Sequence, residues 1–178
     1  MEWMFMPLKR YADFSGRSRR MEYWMWQLFQ FVVYVVVVVL MMMVGGGAMM
    51  MGGMGKDPSS MLAAGGVVMI VLLLYSVYCL AVIIPSIAVA VRRLHDTNRT
   101  GWWVLAPLAP YLVMILAGMM AVGSPDSAGM AGILVMVSLI AVLVLALVLL
   151  VFLFLDGTPG PNKYGPDPKG RDSGEVFA

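Results

Sequence analysis

Four stretches of this chain each run for more than twenty residues without an Asp, Glu, Lys, Arg or His, and no other feature limits the fold as strongly. They cover residues 23–44, 67–91, 102–122 and 130–155. About 20 consecutive apolar residues are enough to carry a helix across the roughly 30 Å hydrocarbon core of a bilayer. Val32–Val39 is nearly all valine, a pattern that in water suggests a buried strand. In lipid, backbone groups must be satisfied within the segment, which favours a helix. The fold class expected is therefore an all-α membrane protein with four transmembrane helices. Composition agrees: 61% of residues are hydrophobic and 12% charged, against about 45–50% and 25% in soluble domains. The organisation expected is a cytoplasmic or interfacial lead over 1–22, a four-span domain over 23–155, and a Pro/Gly-rich tail over 156–178. The first apolar stretch follows an arginine-rich lead and outruns the roughly 7–15 residues of a signal h-region, so it reads as a retained span.

The positions of the charges set the threading. Eleven of the twelve Lys and Arg residues fall in the lead (Lys9, Arg10, Arg17, Arg19, Arg20), the turn between the second and third spans (Arg92, Arg93, Arg99) and the tail (Lys163, Lys169, Arg171). With four spans these segments share one face, and the positive-inside rule makes it cytoplasmic, with both termini inside. Tyr23 and Trp24 at the first span, and Trp102 and Trp103 at the third, are placed as interfacial aromatic anchors. Ser18 reads as an N-cap, with Glu22 favoured in the first helical turn. Pro85 should kink the second span, and Pro107 and Pro110 should distort the start of the third. Gln27 and Gln30 share a face suited to hydrogen-bonding a neighbouring helix.

Several function classes are disfavoured. Proton-coupled transporters need ionisable groups at membrane depth, and the spans have no Asp, Glu, Lys, Arg or His. A net charge of +2 with no continuous basic patch does not suit nucleic acid. The single cysteine, Cys79, lies within a span and precludes an intrachain disulfide. The connector 45–66 is rich in glycine and methionine, and Met49, Met50, Met51 and Met54 offer soft thioethers of the kind that bind Cu(I). The same richness continues into the span at Met41–Met43 with no His or Cys to assist, so a plain connector or frayed helix ends is the preferred reading.

The run Arg92-Arg93-Leu94-His95-Asp96-Thr97-Asn98-Arg99-Thr100-Gly101-Trp102-Trp103 is a polar turn held between two spans. Arg92 and Arg93 lie about one helical turn before Asp96, so either can pair with it. Arg17, Arg20 and Arg99 would then remain to hold an anion such as a lipid phosphate, which arginine binds in bidentate fashion. The competing reading is plain topology, with arginines that orient the chain and tryptophans that anchor it.

Three blocks carry a family resemblance. Phe14-Ser15-Gly16-Arg17-x-x-Arg20 with Glu22-Tyr23-Trp24 comes first, then Arg92-Arg93-Leu94-His95-Asp96 through Gly101-Trp102-Trp103, then Gly160-x-Asn162-Lys163-Tyr164-Gly165-x-Asp167-Pro168. In this order they resemble the YhaH/YhaI-like small bacterial inner-membrane proteins, domain-of-unknown-function family 805. The turn departs from that pattern at Asn98, where glycine is usual, and at Thr100, where serine is common. Asn tolerates positive φ better than most residues, so the turn is expected to survive. The resemblance implies a multispan inner-membrane protein and supplies no reaction.

The site expected is one cytoplasmic polar cluster of Arg17, Arg20, Glu22, Arg92, Arg93, His95, Asp96, Arg99, Asn162 and Tyr164. No catalytic, cofactor or metal residues are assigned: His95-Asp96 looks like half of a triad or metal pair but has no second His or activated nucleophile beside it. A non-enzymatic protein that binds anionic lipid headgroups or a membrane partner is expected. The alternative is a subunit of an oligomeric channel or uncoupled transporter, lined by Gln27, Gln30, Tyr34, Tyr75 and Tyr78.

Overall fold

A computed structural model describes the backbone of residues 2–52, 58–123 and 127–171, and the side chains of these except 45–52 and 58–64. The described residues are helical apart from turns and one isolated bridge, Asn162 with Gly165. The order is α1 (Glu2–Lys9), α2 (Arg20–Gly52), α3 (Pro58–Asp96), a 3₁₀ turn (Gly101–Leu105), α4 (Leu108–Gly123) and α5 (Ala128–Phe154). Four segments are long and apolar enough to cross a membrane: Arg20–Val44, Gly65–Asp96, Gly101–Gly123 and Ala128–Phe154. At most 6% of the most apolar window of each is buried within the protein. Many of their large apolar side chains are thus left exposed for lipid, where a single soluble chain would have to hide them.

The chain divides into two compact units, 1–13 with 21–88, and 14–20 with 89–178. In the first, α1 meets α2 through Phe5 and Phe29, edge-on at 5.5 Å. Trp26 is fully buried and donates its indole N–H to Ser86 Oγ at 3.0 Å, while Ser86 donates to the Val82 carbonyl at 2.6 Å. Tyr78 of α3 donates to Gln30 of α2, and Gln27 donates to Tyr23 of its own helix at 3.2 Å. Only Gln30 of the two therefore reaches a neighbouring helix. Pro85 sits inside an unbroken α3. Its missing N–H would leave the Ala81 carbonyl without a helical partner, and Tyr11 Oη donates to that carbonyl at 2.5 Å.

In the second unit α4 and α5 pack side by side. Their buried positions include the small residues Ala117, Ala131 and Ser138, which let helix backbones approach closely without a hydrophobic driving force. The third span begins as a 3₁₀ turn and becomes α-helical only at Leu108, the distortion expected from Pro107 and Pro110.

α2 and α3 extend into the Gly/Met connector, up to Gly52 and again from Pro58, in keeping with the helix-end reading of that stretch. The copper candidates Met49, Met50, Met51 and Met54 lie outside the residues whose side chains are described. Two expectations are corrected. Ser18 is not the N-cap: α2 starts at Arg20, and the buried Ser18 Oγ has no hydrogen-bond partner among the described residues. Tyr23 is 7% exposed, so it is a packing residue and no lipid-facing anchor. Trp102 is 77% exposed.

Candidate polar site

The site is built where α3 and α5 end. A helix leaves its last four carbonyls without intrahelical partners, and near a membrane these groups need donors. At α3 the chain supplies part of the answer itself. Asn98 adopts φ 59, and the Asn98 and Arg99 N–H groups return to the His95 and Leu94 carbonyls at 3.0 Å each, a Schellman closure. Asn98 thus takes the left-handed position usually given to glycine.

Carbonyls in the last turns of α3 also recruit distant segments. The Arg92 carbonyl accepts the Ser18 N–H at 3.1 Å, the Asp96 carbonyl accepts the Thr158 N–H at 2.9 Å, and the His95 carbonyl accepts Asn162 Nδ2 at 3.0 Å. At α5, Arg93 donates to the Leu153 carbonyl at 3.1 Å and to that of Leu155, where a cation also complements the helix dipole. Arg20 adds a longer contact to the Phe154 carbonyl at 3.4 Å and pairs with Asp156 at 2.6 Å.

Asp96 holds the centre, with its side chain 3% exposed. Oδ1 accepts Arg17 Nε at 2.9 Å, and Oδ2 accepts Arg93. Of the two alternatives Arg92 and Arg93, it is thus Arg93 that supplies the pairing. Arg17 does not stand free for an outside anion. It also donates to the Gly160 carbonyl at 2.7 Å and the Thr158 carbonyl at 2.6 Å, and lies 3.9 Å from Asp167. One guanidinium therefore ties the lead to α3 and the tail. The tail passes so close that a Cβ on Gly157 would sit 2.0 Å from Asp96 Oδ2.

The tail is kept in shape by its own polar residues. The Asn162 and Gly165 backbones exchange two hydrogen bonds of 3.0 Å, and Asn162 Oδ1 accepts the Tyr164 N–H at 2.9 Å. This presents the Tyr164 ring flat against His95, with centroids 3.8 Å apart and planes 5° from parallel. His95 Nδ1 lies 3.2 Å from the Gly16 carbonyl. Asp167 is buried and accepts the Lys169 N–H at 2.9 Å and Arg171 Nε at 2.8 Å. Desolvation pushes its carboxyl up, but Arg171, the Lys169 N–H and Arg17 outweigh it and hold the group at about 2. The exposed Asp156 is lowered chiefly by its hydrogen bond from Lys169.

Of the expected cluster, the structure brings together Arg17, Arg20, Arg93, His95, Asp96, Asn162 and Tyr164. Arg99 stands to one side with its guanidinium 3.9 Å above the Phe152 ring. Arg92 is fully buried in α3. Glu22, Tyr23 and Trp24 belong to the other compact unit. Gly157, Thr158 and Asp167 also belong to the site, and sequence reasoning misses them. Asp167 lies in the third sequence block and was open to notice as an acid amid Gly and Pro; Gly157 reads in sequence only as a helix breaker. Among the described residues no three His, Cys, Asp or Glu side chains converge to hold a metal ion.

Four helices of membrane-spanning length and composition, with polar segments satisfying two of their ends through buried ion pairs, define a polytopic integral membrane protein. The chain belongs to the family described as protein of unknown function (DUF805), which it matches over residues 11–128. It is 31% identical over 169 residues to inner membrane protein YhaI of Escherichia coli strain K12, covering 95% of this chain and 97% of that relative. Inner membrane protein YhaH of the same strain is also 31% identical, over 173 residues that cover 95% of this chain and 98% of the relative. No solved structure matches. The chain is accordingly an inner-membrane protein in contact with the lipid bilayer.

Proposed function

We propose that this chain is a non-enzymatic inner-membrane protein whose polar site faces the cytoplasm and presents a cationic rim to anionic lipid headgroups. The observation that carries this reading is the division of charge within the site. Arg17 and Arg93 are consumed by Asp96, and Asp167 is buried. At the rim Arg20, Lys163, Lys169 and Arg171 remain wholly or partly exposed, against the single exposed carboxylate of Asp156 among the described residues of that unit. Basic residues beside helix ends are attracted to the anionic cytoplasmic leaflet. The positive-inside distribution of Lys and Arg supports that orientation.

Catalysis is disfavoured because His95 and Asp96 do not form a dyad. The histidine is held by Tyr164 and Gly16, the aspartate by two arginines. Gln30 and Tyr78 hydrogen-bond each other, which supports helix packing over a pore-lining role. Native mass spectrometry from gentle detergent tests the lipid reading. The wild type is expected to retain phosphatidylglycerol over phosphatidylethanolamine, and the Lys163→Gln/Lys169→Gln/Arg171→Gln variant to retain fewer phosphatidylglycerol molecules. Equal retention of both lipids by the wild type would contradict the proposal.

A further inference from the structure

The geometry points to a discrete seat for one anionic phospholipid at Arg99, Thr100 and Trp102, distinct from the cationic rim. Among the described residues of its unit, Arg99 has no carboxylate partner. Its guanidinium lies 3.9 Å over the Phe152 ring and makes one long contact, 3.3 Å, to the Thr97 carbonyl. A guanidinium carries five N–H donors, so most of them are left for a ligand. The contact with the ring also restrains the side chain, which lowers the cost of ordering it for a bidentate acceptor.

The apolar half of the seat adjoins it. A shallow groove is lined by Thr100, Trp102, Trp103 and Ala106. Trp103 meets the Phe152 ring edge-on at 5.2 Å, so one ring joins the groove wall to the Arg99 cation. Thr100 makes no side-chain capping hydrogen bond, and its exposed hydroxyl can donate. In order along the chain come a cation, a hydroxyl, an interfacial indole and an apolar groove. That order matches a phosphodiester at the surface, a glycerol ester at the interface and an acyl chain below. A soluble phosphate would use only the polar half, so the occupant is a diacyl phospholipid.

The inference rests on the anionic-lipid reading above, and the test separates the two. Full-length protein in mild detergent is titrated with phosphatidylglycerol or phosphatidylcholine, and bound lipids are counted by native mass spectrometry. The wild type is expected to hold one phosphatidylglycerol that excess inorganic phosphate does not displace. Arg99→Gln should weaken that lipid by about tenfold, the effect of losing one charge-assisted hydrogen bond. Trp102→Ala should weaken it too and, at so exposed a position, keep the fold, which covers a failure of Arg99→Gln to insert. Lys163→Gln/Lys169→Gln should reduce additional, weaker lipids and spare this one. If Arg99→Gln and Trp102→Ala bind as wild type while the lysine variant loses its lipid, the seat is refuted and the rim reading stands. Displacement by inorganic phosphate would refute the phospholipid assignment. No preference for phosphatidylglycerol in the wild type would remove both.

Discussion

Replacing Asp96 by asparagine keeps the side-chain volume and removes the charge on which two arginines converge. Arg17 and Arg93 have side chains 1% and 0% exposed, so neither can turn to water for compensation. Breaking a buried pair in this way costs about 3–5 kcal/mol, most of it from the uncompensated charge. The asparagine oxygen still accepts one hydrogen bond and returns about 1 kcal/mol, which leaves about 2–4 kcal/mol. At about 2–4 °C per kcal/mol for a chain of this size, Asp96→Asn should lower the midpoint of thermal unfolding by on the order of 10 °C. Circular dichroism in mild detergent measures it. Adding Arg17→Gln should cost less than the sum of the two singles, with a coupling of about 1–3 kcal/mol. Plain positive-inside anchoring makes the opposite forecast: Asp96 is dispensable and the arginines add. A midpoint for Asp96→Asn within about 2 °C of wild type would refute the pairing.

Gly157→Ala should destabilise by about 1–3 kcal/mol, because its methyl must displace the Asp96 carboxylate or the tail. Gly132→Ala, on α5 with open space around it and no left-handed φ, serves as the comparison and should not destabilise; equal midpoints would contradict the close approach. At Asn98, glycine should be tolerated and valine should cost about 1–2 kcal/mol, since a β-branched residue resists the left-handed conformation. Asp167 is held at about 2, below its ordinary 3.8, so its stabilising contribution is complete above pH 4 and disappears as pH falls from there through 2. Acid titration followed by circular dichroism should show this loss, and Asp167→Asn should flatten it.

The four spans were legible because length and absence of charge leave few alternatives in lipid. The Asn98 turn was legible because one local conformation decides it. The choice between Arg92 and Arg93 was open, because both spacings place a cation on the helical face of Asp96. The approach of Arg17 settles the surroundings of that carboxylate from 79 residues away, and no local pattern encodes it. For the same reason Arg17 reads in sequence as a free cation and is in fact an internal strut. Gly157 reads as a breaker because composition cannot distinguish a glycine that ends a helix from one that makes room for a carboxylate. The Tyr11 contact with the carbonyl freed by Pro85 likewise joins residues 70 apart.

Cysteine accessibility tests most directly the claim that the polar site faces the cytoplasm. In a Cys79→Ala background, cysteines replace the exposed Ser15 and Lys163 of the polar site, and Ser127 at the start of α5. Intact cells are treated with an impermeant maleimide, and membranes are then opened and treated again. Ser127→Cys is expected to react in intact cells, and Ser15→Cys and Lys163→Cys only after opening. Labelling of Lys163→Cys from outside, with Ser127→Cys protected until the membrane is opened, would place the polar site on the outer face and contradict the account.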